Sequence, residues 1–108
     1  MMENISEESL IEELWQEHRA APFPKGFRGK DVNGIDFVVL DSQIAGCVSA
    51  FVERGKLSNY QTAMLGLAYR NATYVLPLLN EDGAEYFWRL ERLAELVLKQ
   101  IAKKSQLA

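Results

Sequence analysis

The chain has 108 residues, 48% apolar and 25% charged, with a formal net charge of -3, one cysteine and one histidine. Such a length and apolar content fit a single domain that buries one core without metal or disulfide support. Cys47 alone forms no intramolecular disulfide and no zinc set with His18, which fits a reducing cytoplasm, and a sequence pI near 5.2 argues against phosphate-driven nucleic-acid binding.

The start, Met1-Met2-Glu3-Asn4-Ile5-Ser6, lacks the basic residues and apolar run of a secretion signal. No apolar stretch approaches the ~20 residues that cross a bilayer, so the expectation is a soluble cytoplasmic protein with no membrane partner. Charge is uneven, because residues 1–20 hold six glutamates against one arginine. Within them Leu10, Ile11, Leu14, Trp15 and His18 recur at helical spacing, Ser6 suits the N-cap, and Pro22 ends the helix, giving helix one over about 6–20.

Residues 21–34, Ala-Pro-Phe-Pro-Lys-Gly-Phe-Arg-Gly-Lys-Asp-Val-Asn-Gly, read as a long Pro/Gly-rich loop, exposed, basic and aromatic. Phe23, Lys25, Phe27, Arg28, Lys30 and Asp31 are its candidate binding residues, with the two phenylalanines as apolar anchors. From about 35 to 54, Phe37, Leu40, Ile44, Cys47, Val48 and Phe51 share one helical face, with Asn33 or Asp36 as cap and Gly55 as terminator. Asn33-Gly34 is also a strong hairpin signal, but Lys25–Asp31 has no apolar alternation to supply a partner strand, so the helix is preferred.

Ser58 and Gln61 form a capping box for a third helix over about 58–79, with Tyr60, Met64, Leu67, Val75 and Leu79 as its buried side and Pro77 as a kink or stop. Asp82 and Glu85 suggest another cap, followed by Tyr86, Leu90, Leu93, Val97 and Ile101 at alternating four- and three-residue steps, a fourth helix over about 82–103. On it, Glu85 with Arg89 and Glu95 with Lys99 read as surface pairs. The expected fold is all-α, an antiparallel four-helix bundle forming a single domain.

Catalytic chemistry is sparse. Cys47 lies on an apolar face, where a thiol is an inert small hydrophobe, and His18 reads as a helix-end cation or satisfied polar group. Asp36 and Asp41 are five residues apart, about 140° around a helix, which is poor geometry for a shared metal. The segment Lys25-Gly-Phe-Arg-Gly-Lys30 lacks both phosphate-loop spacings. No catalytic residue, metal or cofactor is therefore assigned. Arg70 follows Gly66 by one turn and reads either as a buried ion pair with Asp41 or Glu53 of helix two or as a solvated surface arginine. Small residues on helix two (Ser42, Ala45, Gly46, Ser49, Ala50) and helix three (Ala63, Gly66, Ala72) predict close packing of these helices within the monomer, the alternative being a homodimer seam.

The run Gly34-Ile-Asp-Phe-Val-Val-Leu-Asp41, Ala45-Gly-Cys-Val48 and Tyr86-Phe-Trp-Arg-Leu90 resembles small uncharacterised bacterial all-helical proteins over residues 20–98. The resemblance implies a helical fold and a bacterial cytoplasmic setting, and brings no activity or site residue. The resulting expectation is a non-enzymatic helical interaction or regulatory module, monomer or homodimer, with an unknown protein partner and no nucleic acid. Its two candidate surfaces are the basic loop and the acidic first helix, unless the loop cations fold back on that helix as an internal clamp. The alternative is a small enzyme or ligand-binding bundle with a polar pocket near Arg70.

Overall fold

The computed structural model describes residues 6–107, excepting the side chains of Glu81, Asp82 and Leu107. Helix α1 spans Glu7–Ala20, strands β1 Asp31–Val32 and β2 Ile35–Asp36, and helices α2 Phe37–Arg54, α3 Asn59–Val75 and α4 Glu81–Leu107. A 3-10 turn, Leu76–Leu78, joins α3 to α4. The class is all-α: a compact helical bundle with one very small sheet. The longest helix, α4, packs against α1, α2 and α3, and α2 also packs against α3.

Local chemistry explains the boundaries. The Ser6 side chain accepts from the Ser9 N–H, Asp36 from Val39 N–H, and Ser58 and Gln61 close the expected capping box. Gly55, at φ 76°, ends α2 in the left-handed conformation that costs glycine least. Lys104 of α4 reinforces that end, donating to the Gly55 carbonyl at 2.7 Å and lying over the Phe51 ring. Pro77 sits in the 3-10 turn, so α3 stops at Val75 instead of running to 79. Helix α4 begins at Glu81, one residue before the expected start; the Asp82 side chain assigned to its cap lies outside the described residues, as do Met1 to Ile5.

The hairpin and the helix coexist. Val32 pairs with Ile35 and Asp31 with Asp36 across the Asn33-Gly34 turn, whose residues both have positive φ, 50° and 86°. The helix then starts at Phe37, two residues later than expected. Strands of two residues need no long apolar alternation, which is why its absence in Lys25–Asp31 did not exclude them. Asp31 accepts from the Gly34 N–H, and Asn33 donates to the Tyr74 hydroxyl, tying the hairpin to α3.

Every expected apolar position of α2 is buried, and so are Tyr86, Leu90, Leu93 and Val97 of α4. Helix α3 is turned from the expected orientation: Val75 is buried as expected and Met64 and Leu79 pack partly on the core, but Leu65, Ala68 and Ala72 also face inward while Tyr60 and Leu67 are exposed. The segment is apolar around most of its circumference, so periodicity alone does not choose a face. Packing does, because the small Ala68 and Ala72 let α3 lie close to its neighbours. The glycines do not share that role, since both Gly46 and Gly66 have open space where a Cβ would stand. Expected close packing of α2 on α3 through Gly46 is therefore corrected.

Candidate functional site

At one end of the bundle the last turn of α1, the second turn of α2 and the start of α4 bring four polar side chains together. His18 is 5% exposed and Arg89 7%. Arg89 Nε donates to His18 Nδ1 at 3.4 Å, and His18 Nε2 meets Asp41 Oδ1 at 3.1 Å. An arginine has no acceptor, so Nδ1 must be the bare nitrogen and Nε2 must carry the proton given to Asp41. The second Asp41 oxygen accepts from the Tyr86 hydroxyl at 2.9 Å. The Tyr86 ring lies 4.4 Å from the imidazole and under the Arg89 guanidinium at 5.7 Å. Burial, and then the hydrogen bond to Asp41, push the Tyr86 phenol well above its ordinary value.

Chemically this is a positioning relay. With both ring nitrogens bonded, His18 has none left to activate a nucleophile, and among the described residues no serine, threonine or cysteine bonds to it. Cys47 points to the Gln61 carbonyl at 3.6 Å, and burial raises its thiol pKa. Among the described residues no three His, Cys, Asp or Glu side chains converge as a metal set.

Two expected pairings give way to this cluster. Asp41 gives its oxygens to His18 and Tyr86 while Arg70 is exposed, so the Arg70–Asp41 pair does not form. Arg89 turns inward to His18 and makes no ion pair with Glu85, whereas Glu95 does meet Lys99, at 3.9 Å. Sequence reasoning passed over Arg89 because a charged residue four after a glutamate on a helix is ordinarily at the surface. The available signal was its spacing, three residues after Tyr86 and four before Leu93 on the apolar stripe of α4.

The loop is a strap. Phe23 and Phe27 are half-buried and turn inward: Phe23 packs edge-on to Tyr86, and Phe27 packs on Phe37 and Phe87. Gly83 makes room for Phe27, since a Cβ there would stand 2.2 Å from the ring. Lys25, Arg28, Lys30 and Asp31 are exposed, with Arg28 stacked over Phe23 at 5.0 Å. The phenylalanines anchor the strap to its own core, and half-buried Phe23 also lines a cleft. Among the described residues no ion pair joins Lys25, Arg28 or Lys30 to α1; Glu7 instead accepts from Lys103 and Gln100 of α4, which hold its carboxyl below its ordinary value. Between strap and α4 lies a cleft of about 400 Å³, lined by residues 21–25 with Glu85, Tyr86 and Arg89. Arg70, where the sequence predicts a polar pocket, does not line this cleft.

The second unusual surface is the outer side of α3. Tyr60, Leu67, Tyr74 and Leu78 are 76%, 58%, 49% and 57% exposed. No family model, curated protein or solved structure matches the chain. Among the described residues no helix is long and apolar enough to cross a membrane.

Proposed function

We propose that the protein is a small helical interaction module, without catalytic activity of its own, that pairs with a second copy of itself across the outer face of α3. One observation carries this reading. In a chain one quarter charged, residues 57–80 contain a single charged side chain, Arg70, yet much of that segment is at the surface. Charge depletion with tyrosine and arginine retained is the composition of a protein interface core.

The spacing also favours a helical partner. Tyr60, Met64, Leu67, Asn71, Tyr74 and Leu78 follow one another at alternating four- and three-residue steps, the repeat of a helix–helix seam. An antiparallel crossing about Leu67 sets Tyr60 of each copy against Tyr74 of the other and closes as a dimer with no unpaired charge at its centre. The exposed large apolar side chains here supply roughly 500 Å² per copy, most of the about 800 Å² that a stable partner surface needs. The short connection at 55–58 supports an antiparallel order of α2 and α3 within each copy. The cytoplasmic setting and the kinship with small bacterial helical proteins belong to the same reading.

Sedimentation velocity over a concentration series tests it. The native protein should shift toward dimer, and Leu67→Glu should remain monomeric with unchanged helix content and melting temperature. A native chain that stays monomeric to millimolar concentration overturns self-pairing.

A further inference from the structure

The cleft beside Arg89 has a chemistry that self-pairing through α3 does not use. Arg89 is 7% exposed, and among the described residues no carboxylate pairs with it. Its Nε is taken by His18 Nδ1, and the imidazole holds Asp41 away by its own width. The two Nη groups make no hydrogen bond to the protein among the described residues. Among the described residues no buried side-chain nitrogen or oxygen lacks a partner, so those Nη groups are reached by solvent, and Arg89 lines the cleft. A guanidinium so buried keeps little bulk water around it, so its free edge on the open cleft favours an anion there.

The surroundings narrow the anion. Lys25 lines the cleft, and Arg28 stands over Phe23, one of its walls. Glu85 also lines it but is exposed, and among the described residues it joins no ion pair, leaving Lys25 and Arg89 against one carboxylate in the lining. Pro22, Phe23, Pro24 and the Tyr86 ring make the remaining wall apolar. A volume of about 400 Å³ suits a small molecule. One guanidinium edge offers two parallel donors at the spacing of carboxylate oxygens.

We propose that the cleft between residues 21–25 and α4 binds a small organic carboxylate, its oxygens on the free edge of Arg89 and its apolar body against Phe23, Pro24 and Tyr86. The Asp41–His18 relay positions the guanidinium: Asp41 fixes the imidazole tautomer, and the bare Nδ1 holds Nε, so the Nη edge faces outward.

Benzoate is the probe. Titrated into isotopically labelled protein, it should produce saturable shifts at the Arg89 Nε–H and the His18 ring, while benzyl alcohol, of like shape and no charge, should produce none. Arg89→Lys, which keeps the charge and loses the planar fork, should weaken benzoate at least about tenfold. Lys25→Gln, at an exposed position that leaves the fold intact, should weaken it by about threefold. Inorganic phosphate should not displace benzoate. Non-saturating shifts, equal binding of benzyl alcohol, displacement by phosphate at equal concentration, or unchanged affinity in Lys25→Gln would each overturn the proposal.

Discussion

The Arg89 end of the bundle and the outer face of α3 break the usual partition of side chains in opposite directions. The first buries a histidine and an arginine; the second leaves two tyrosines and two leucines in water. Buried polar groups are held by directional bonds, so His18, Asp41, Tyr86 and Arg89 form one chain in which each link depends on the next. Exposed apolar groups have no such accounting, and the monomer's fold does not depend on them. Damage at the first region should therefore appear as lost stability, and damage at the second only as lost association.

The largest expected effect comes from Asp41→Ala. It strands the His18 Nε2–H and the Tyr86 hydroxyl together, at a cost of about 3 kcal/mol in denaturant unfolding, while Arg70→Ala should stay within about 0.5 kcal/mol. Equal losses in the two variants would dissolve the contrast and restore Arg70 as a structural partner.

A smaller effect is set by pH. The folded Tyr86 pKa is raised, so the folded state keeps a proton that the unfolded chain releases near its ordinary value of 10.0. That contribution is whole below about pH 10 and is lost as pH climbs toward the folded value. Stability should fall above about pH 10, with a shallower fall in Tyr86→Phe. Identical alkaline slopes in unfolding titrations of the two proteins would show that burial and Asp41 do not hold the Tyr86 phenol in its neutral form.

The smallest effect on folding belongs to Gly46→Leu. Close packing of α2 on α3 through Gly46 would make this change strongly destabilising by overpacking, but Gly46 is exposed with open space at its Cβ position. The monomer should be unchanged or gain up to ~1 kcal/mol of helix propensity. A large fall in melting temperature would mean that α2 and α3 approach through that glycine after all.

Much of the framework was legible in the chain itself, and for local reasons. Ser6, Asp36, Ser58 with Gln61, Gly55 and Pro77 set helix ends through groups within a few residues of each other, and the buried faces of α2 and α4 follow from one-sided apolar spacing. Where local signals competed, the chain was ambiguous: Asn33-Gly34 supported a turn and Phe37 onward a helix, and both are present because the hairpin needs only two residues a side. Helix α3, apolar nearly all round, carries no local preference for Leu65 over Tyr60 as the inward residue. Only packing beside α2 and α4 decided it. The polar cluster is likewise tertiary, since His18 and Asp41 lie 23 residues apart, and His18 and Arg89 71. Nothing in the spacing of one helix says which charged side chain will meet a histidine from another, because that depends on how three helices are stacked. The sequence by itself therefore determined the elements and most of their inner faces, through contacts within one or two turns. Tertiary structure alone decided which arginine is buried, which face of α3 is left bare, and where the strap closes over a cleft, because those follow from contacts between segments far apart in the chain.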